Sequence, residues 1–414
     1  LVALLGMFFL YKLSFLITED WIKSLLVTMI AMTSPVYAYY FNGFIPGIPA
    51  LTFAIIALYC YVKYLNNGEI RTFCFSLLFI TLSVLTRMSF AVIWVALLGF
   101  EFLRILRKET TFLDKLLPVA ISIIVFLSYY FWNKHLAAEH GTLFLGKLLP
   151  ANDWTDFWDR MRAAKENWQY HYFGKIHYRL FLIILVSSIS YLIYKKIRFK
   201  NVENAQDKKS LSLWIFTAIV LFGYVLFTIA MAKQFPDHDY YFIDTYFLPL
   251  LLLFILVFKA LPRVENYKSG IIAFVILIIP VVMMITNVNE MQKKRRTIDK
   301  GRASERTIKN YQGSEQYLDS LGVSKEAKIL SLWSYPQNTP FILMNRKGFT
   351  EMWDRKEGVD AKMSFDFDYL IVENELYEKE KHTWKYVFDD LEYYSDNGKI
   401  MIFVKKENDN VNKN

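Results

Sequence analysis

Long apolar runs recur through the first 288 residues and restrict what this chain can fold into. A helix needs about 20 predominantly apolar residues to cross a bilayer, and hydrophobic residues make up 54% of the 414 residues. The runs cover 1–17, 22–41, 47–65, 71–86, 88–106, 116–133, 178–194, 211–232, 243–261 and 270–288. This pattern predicts a polytopic α-helical membrane protein with about ten spans.

The composition changes near Arg302 to that of a soluble α/β domain. Short buried strands are predicted over 328–332, 369–372 and 400–404, after a polar helix over 303–321. No glycine-rich phosphate loop follows these strands, so a nucleotide site has little support. We therefore predict a multispan domain over 1–288 and a soluble α/β domain over 289–414.

Basic residues lie mainly in alternate connections between the apolar runs. By the positive-inside rule, the connections that carry them are cytoplasmic. Their basic residues are Lys63, Arg71, Arg104, Arg107, Lys108, Lys115, Lys195, Lys196, Arg198, Lys200, Lys208, Lys209, Lys259, Arg263 and Lys268. The opposite, outer face then receives residues 42–49, the Thr86-Arg87 turn, the loop 134–177, residues 237–239 and everything after 288. The basic cluster 293–296 favours the reverse orientation, but more connections agree with this one. The membrane explains the net charge of +9 better than nucleic acid does.

The outer loop 134–177 contains apolar residues at close to helical spacing, including Trp154 and Trp158. Such a pattern is typical of an amphipathic helix in the membrane interface. A membrane anchor is the simpler interpretation, and a lid over a lipid-linked substrate would have the same composition.

The segment Asp237-His238-Asp239-Tyr240-Tyr241 lies between two apolar runs, shortly after Lys233. Titratable groups beside hydrocarbon are costly unless they are solvated or used. The flanking carboxylates are expected to raise the pKa of His238. This histidine could bind a phosphate, orient an acceptor hydroxyl or join a carboxylate as a metal ligand. The alternative is a hydrated loop with Tyr240 and Tyr241 as interfacial anchors.

Arg87 stands alone between two apolar runs, on the same predicted face as His238. A guanidinium in such a place either extends to the membrane surface or holds an anion, and its fork suits a phosphate. We expect Arg87 and His238 to line one cavity with Tyr240 or Tyr241 on its wall. A third segment, 34–49, is rich in tyrosine, proline and glycine and predicts a bent helix end followed by a tight outer turn.

Together these segments resemble bacterial membrane glycosyltransferases of the GT-C class, in the branch related to protein O-mannosyltransferases and the lipid A aminoarabinose transferase. The likeness rests on Ser34-Pro35, on Tyr39-Tyr40-Phe41-Asn42 leading into Pro46-Gly47-Ile48-Pro49, on Leu85-Thr86-Arg87 and on His238-Asp239-Tyr240-Tyr241.

The resemblance implies an enzyme of the bacterial inner membrane, with its C-terminal domain in the periplasm. It implies transfer of a sugar from a polyprenyl-phosphate donor to a lipid, glycan or protein acceptor at the outer face. Candidate catalytic residues are His238, Asp237 and Asp239. Candidate substrate-binding residues are Arg87, Lys233, Tyr240, Tyr241, Tyr40 and Asn42.

Two features set this chain apart from the family pattern. The family's catalytic base lies in the first outer loop, and this chain begins at Leu1 inside an apolar run, so we expect that residue to precede Leu1. Where many relatives carry an acid after the tyrosine-rich segment, this chain has Gly47. Asp237 and Asp239 are the nearest predicted replacements, and a divalent metal stays an open expectation.

Two interpretations from other classes compete with the transferase. A carrier usually has charged or glycine-broken positions in the middle of its spans, whereas here the polar groups gather at one surface. A non-catalytic scaffold with an interaction domain would explain the C-terminal domain but not Arg87 and His238.

Overall fold

The computed structural model describes residues 1–41, 43, 45–140, 148–198, 205–264, 267–299 and 303–406. Its contacts divide the chain into two compact units, Leu1–Gln292 and Lys293–Asn414. We call them the helical unit and the C-terminal unit, and each is described by itself.

Helices build the helical unit, and each of the ten predicted apolar segments contains one. They are α1 (Val2–Thr18), α2 (Trp21–Met32), α3 (Pro35–Tyr40), α4 (Gly47–Asn67), α5 (Ile70–Thr86), α6 (Ala91–Leu106), α7 (Leu113–His140), α8 (Trp154–Tyr172), α9 (Lys175–Arg198), α10 (Ala205–Ala230), α11 (Tyr241–Asp244), α12 (Phe247–Lys259) and α13 (Tyr267–Asp299). Helix α7 continues seven residues beyond the predicted end of its apolar run, into the region expected to be loop.

Six stretches of helix are long and apolar enough to cross a membrane. They are Gly47–Asn67, Met88–Leu106, Leu113–Glu139, Lys175–Lys195, Ser210–Ala230 and Gly270–Arg295. Helices α1, α2, α5 and α12 are apolar but have only 10–17 residues. The chain is therefore a membrane protein by the length and composition of six helices.

The helical unit presents apolar side chains on its outside. On α13, Ile276 and Ile279 are 62% and 65% exposed, and on α9 Leu182 and Ile183 are both 61% exposed. A protein surrounded by water rarely leaves such continuous apolar surface uncovered. Lipid chains would cover it at no cost, which agrees with a membrane location.

Connections that the charge pattern places on the cytoplasmic face contact one another. The buried Glu101 on α6 accepts hydrogen bonds from Lys115 Nζ at 2.5 Å and Arg104 Nη1 at 2.7 Å. Tyr61 on α4 donates to the same carboxylate at 2.7 Å. A buried carboxylate with this many donors is well compensated, so the cluster ties α4, α6 and α7 together at one end of the unit.

The C-terminal unit contains a five-stranded sheet with the strand order β2-β1-β3-β5-β4. Strands β1, β2 and β3 run parallel, and β5 pairs antiparallel with both β3 and β4. The strands are β1 (Lys328–Leu332), β2 (Lys347–Glu351), β3 (Tyr369–Glu373), β4 (Leu391–Asp396) and β5 (Ile400–Lys405). The helices are α14 (Ala303–Tyr311), α15 (Ser314–Ser320), α16 (Thr339–Met344), α17 (Lys356–Met363), α18 (Asn374–Glu380) and α19 (Lys385–Asp389).

The three predicted strands are present, and the region 303–321 is helical as predicted, but it forms two helices instead of one. The chain there forms α14 and α15, separated at Gly313, whose φ of 87° lies in the left-handed region that glycine adopts readily. Strands β2 and β4 were not predicted. Strands β2 and β4 lie at the two edges of the sheet. Their sequences are alternating or polar, so they lack the continuous apolar run that marks a buried strand.

Candidate functional site

The predicted outer connections of the helical unit come together around the segment 232–246. This segment forms a 3₁₀ turn at Ala232–Gln234, a further turn and then the short helix α11. Its backbone places His238, Tyr240 and Asp244 within seven residues of each other, ahead of α12. We call this segment the outer-end loop.

Arg87 forms an ion pair with Asp244, a residue that sequence reasoning missed. Arg87 Nε lies 2.6 Å from Asp244 Oδ2; the aspartate side chain is fully buried and the arginine side chain is 27% exposed. The sequence left open whether Arg87 extends to the membrane surface or holds an anion, and here the anion is a protein carboxylate. Asp244 lies inside the predicted apolar run 243–261. Its charged side chain in an apolar run was the only signal in the sequence that it has a polar partner.

The aromatic residues of the outer-end loop surround this arginine. Its guanidinium lies 5.2 Å from the ring centroid of Tyr240 and 5.7 Å from that of Tyr241. His238 stacks on Tyr240 with a centroid separation of 5.1 Å and lies 6.1 Å from Tyr241. The structure therefore brings Arg87 and His238 to the same pair of tyrosines.

His238 differs from the sequence expectation in the direction of its pKa. Burial lowers the pKa of the imidazole, and this effect outweighs the raising influence of Asp237 and Asp239. Arg87 acts in the same direction as burial. The predicted rise was wrong because the sequence shows the neighbouring charges but not the desolvation by stacked tyrosines. His238 is thus better suited to hydrogen bonding as a neutral imidazole than to holding an anion.

Tyr40 and Asp239 connect the tyrosine-rich segment to the outer-end loop. Tyr40 donates a hydrogen bond from its hydroxyl to Asp239 Oδ1 at 2.7 Å, and its ring packs edge-on against Tyr240 at 6.2 Å. Asp239 is buried, whereas Asp237 is exposed. Asn42, the other predicted residue of this segment, lies outside the described residues.

Gly47 lies directly against the Asp244 carboxylate. A Cβ built on Gly47 would collide with Asp244 Oδ1. Among the residues that the structure describes, this buried oxygen has no hydrogen-bond partner. Asp237 and Asp239 were the predicted substitutes for the acid absent at Gly47, and Asp244 is the carboxylate found beside that glycine.

Lys233 belongs to a different neighbourhood. Its ammonium donates to Asn152 Oδ1 at 2.8 Å, and its backbone N–H donates to the carbonyl of Leu149 at 3.1 Å. These contacts tie the start of the outer-end loop to the segment that leads into α8.

A cavity of about 960 Å³ lies beside the outer-end loop. Phe235, Phe242 and Tyr246 from the loop line it, together with residues of α8, α9, α10 and α12. Its basic lining residues are Lys165, Lys175 and Arg179. In the described part of the chain, none of these three cations forms an ion pair, and no Asp or Glu lines the cavity.

Helix α8 has side chains that bear on both interpretations that the sequence left open for this loop, a membrane anchor and a lid. Trp154 and Trp158 are 64% and 62% exposed, as an interfacial anchor requires. Met161 and Ala164 instead line the cavity, and Trp168 Nε1 donates to the carbonyl of Pro236 in the outer-end loop at 2.8 Å. The helix thus lines the cavity, while Trp154 and Trp158 point away from the protein.

A metal site was left open by the sequence. Within the described ranges, no group of three or more His, Cys, Asp or Glu side chains is placed to hold a metal ion.

No protein-family model matches the sequence, and no curated protein matches it.

Proposed function

We propose that this chain transfers a sugar from a polyprenyl-phosphate donor to an acceptor at the outer face of the cytoplasmic membrane, as a GT-C-type glycosyltransferase. The observation that carries the proposal is the cavity beside the outer-end loop. It combines apolar walls with three cations that lack a carboxylate partner among the described residues.

The charge of this cavity favours an anionic ligand. Lys165, Lys175 and Arg179 can donate charge-assisted hydrogen bonds to phosphate oxygens, which are stronger than those between neutral groups. Lys175 and Arg179 lie in the first turns of α9, where a phosphate would sit at headgroup level. The donor-phosphate contact predicted for Arg87 stays a prediction. The guanidinium of Arg87 is already paired with the Asp244 carboxylate, so the cavity cations are the stronger candidates for the phosphate.

The apolar part of the lining suits a prenyl chain. Phe242 and Leu250 contribute to the cavity, and the adjacent surface of α9 exposes Leu182 and Ile183. A lipid tail could therefore run from the phosphate into the bilayer without burying polar groups. A soluble sugar phosphate would leave this apolar surface unused.

The polar side of the outer-end loop would contact the sugar or the acceptor. In the proposed reaction, the bond between the anomeric carbon and the phosphate oxygen breaks, and polyprenyl phosphate leaves with the electron pair. The acceptor oxygen forms the new bond and loses its proton to a general base, which the family resemblance places in an outer loop. His238 as a neutral imidazole and the Tyr40–Asp239 pair would orient hydroxyl groups, and the Arg87–Asp244 pair would hold the loop in shape.

The proposal includes a specific membrane arrangement. We propose that the four shorter apolar helices also cross, which gives ten crossings in all, in a bacterial inner membrane. The alternation of basic connections then places the C-terminal unit in the periplasm. Short helices can cross when neighbouring helices and local bilayer thinning accommodate the mismatch.

Binding of a short-chain radiolabelled polyprenyl phosphate to the purified chain tests the proposal. The variant Lys175→Gln/Arg179→Gln should bind at least about ten-fold more weakly, since each charge-assisted contact contributes about 1.5–3 kcal/mol. Lys63→Gln is the matched control, because Lys63 is an exposed cation in a connection predicted to be cytoplasmic. Equal binding by all three proteins would overturn the donor site.

A transfer assay in membranes completes the test. The same variants are compared for sugar transfer from the radiolabelled donor at matched protein level. Loss of binding together with loss of transfer supports the enzyme. Binding of the donor without any sugar transfer in these membranes would favour the non-catalytic scaffold.

A further inference from the structure

A second cavity, of about 360 Å³, lies in the C-terminal unit at the carboxyl edge of its parallel strands. Trp333 follows β1 directly, Met352 to Asp354 follow β2, and Leu376 lies on the helix that follows β3. In open α/β sheets, ligands bind in the crevice at the carboxyl ends of the strands. The volume falls in the range of about 300–1,000 Å³ that small-molecule sites occupy.

Aromatic side chains form much of this cavity. Trp333, Tyr335 and Trp353 line it, and the rings of Tyr335 and Trp353 lie 6.2 Å apart. Trp353 is 53% exposed and Tyr335 is 39% exposed, so the fold leaves much of their surface uncovered. Tryptophan and tyrosine offer large, rigid contact surfaces with a polar group at the edge, which is why they are common at binding sites.

Trp333 provides a second, independent observation. Its backbone has a φ of 57°, in the left-handed region that a bulky residue rarely adopts. Its indole Nε1–H has no hydrogen-bond acceptor among the described residues, although the side chain is buried. Strained backbone of this kind concentrates at ligand sites, where the surrounding structure holds it in place.

The charged residues around the cavity balance each other. Two cations, Arg306 and Lys379, and two acids, Asp354 and Glu380, line it. Lys379 Nζ lies 3.0 Å from Glu380, and Arg306 Nε lies 2.8 Å from the buried Glu373 at the end of β3. An anion would meet cations that are already paired with carboxylates, so the site suits a neutral ligand.

We infer that this cavity binds a neutral saccharide. The apolar face of a sugar ring can lie against the Trp353 and Tyr335 rings, while its hydroxyls, each both donor and acceptor, reach the paired charges. A nucleotide fits less well, because its phosphates would meet balanced charge and no glycine-rich loop. The inference does not depend on the proposed transferase, since a saccharide could bind the C-terminal unit whatever the helical unit does.

The test uses the full chain, purified in a zwitterionic detergent, because detergents with sugar headgroups would compete. Binding is measured to an array of neutral oligosaccharides built from hexose, N-acetylhexosamine and deoxyhexose, and in parallel to an array of short peptides. The best-bound saccharide is then titrated against Trp353→Ala, Trp353→Phe and Tyr393→Ala. Tyr393 is 54% exposed in the same unit and does not line the cavity, so it serves as the matched control.

We expect Trp353→Ala to weaken saccharide binding by at least about ten-fold, as loss of one stacking ring does in other aromatic sites. Trp353→Phe should lose less, and Tyr393→Ala should bind like the unchanged protein. Polyprenyl-phosphate binding should be the same in all variants, which separates this site from the proposed donor site. Failure of every saccharide to bind, binding only to peptides, or equal affinity of Trp353→Ala and the unchanged protein would overturn the inference.

Discussion

Arg87 and Asp244 are 157 residues apart in sequence, yet they form an ion pair of 2.6 Å at one end of the helical unit. The pair joins the C-terminal end of α5 to α11, and the aspartate is fully buried. A buried charge without its partner is expensive, whereas an exposed one can be hydrated. The stability of the outer-end loop should therefore depend on this contact.

Removing the arginine should cost more than neutralising the aspartate. Arg87→Ala leaves a buried carboxylate uncompensated, which typically costs about 3–5 kcal/mol. Asp244→Asn leaves a guanidinium that is 27% exposed and can reach water. Thermal unfolding midpoints in detergent should therefore fall furthest for Arg87→Ala, and the double variant should recover part of the loss. Additive losses in the double variant would show that the two residues are not coupled.

A methyl group at Gly47 should disturb the same pair. Gly47→Ala would place its Cβ against Asp244 Oδ1 and force the carboxylate to move. Overpacking of this kind costs about 1–3 kcal/mol. Asp244→Ala removes the colliding atom, so Gly47→Ala should have little further effect on the unfolding midpoint in that background. Gly43→Ala is a suitable control, since the nearest atom to its added Cβ is 3.4 Å away. If Gly43→Ala lowers the unfolding midpoint as much as Gly47→Ala does, the effect at Gly47 comes from replacing a glycine and not from the contact with Asp244.

His238 should make the protein less stable at mildly acidic pH. Burial lowers its pKa below the usual 6.5, despite Asp237 and Asp239. Between that lowered pKa and 6.5, the unfolded chain binds more protons than the folded one. The contribution of His238 to the free energy of unfolding is therefore complete above pH 6.5, and it is lost as the pH falls through the lowered pKa. The drop in unfolding midpoint from pH 8 to pH 5 should be smaller in His238→Gln. Equal drops in both proteins would show that His238 does not contribute to the acid sensitivity.

The sequence predicted well what depends on local pattern. All ten apolar segments contain helix, and the strands at 328–332, 369–372 and 400–404 are present, because apolar period and run length are local properties. The partners of Arg87 could not be predicted, since Asp244 is remote in sequence and reads as one polar position in an apolar run. The cations Lys165, Lys175 and Arg179 share a cavity only after α8 folds over the outer-end loop. The predicted direction of the His238 pKa shift was wrong for the same reason, because desolvation comes from tertiary packing.

Gly348 should be required for the sheet of the C-terminal unit. It pairs with Ile329 in the parallel β1–β2 ladder, and a Cβ at this position would collide with the backbone carbonyl of Ile329. Backbone atoms cannot move aside as a side chain can, so Gly348→Ala should separate β2 from β1. We expect loss of the near-ultraviolet circular dichroism of this unit and rapid proteolysis between 333 and 356. Gly398→Ala tests a glycine with open space around it, where only the φ of 80° is unfavourable, and it should cost much less. A Gly348→Ala protein as resistant to protease as the unchanged chain would refute the close approach.

The orientation of the chain can be tested with single cysteines on exposed residues. The distribution of Lys and Arg predicts that Lys63 is cytoplasmic, whereas Glu166 on α8 and Lys347 in the C-terminal unit are outside. All three are exposed, so the reagent can reach them in the folded protein. In intact cells a membrane-impermeant maleimide should label Glu166→Cys and Lys347→Cys, and it should label Lys63→Cys only after permeabilisation. The background is a chain in which Cys60 and Cys74 are replaced by alanine. Labelling of Lys63→Cys in intact cells, with protection of the other two, would reverse the orientation and place the cavity cations on the cytoplasmic side.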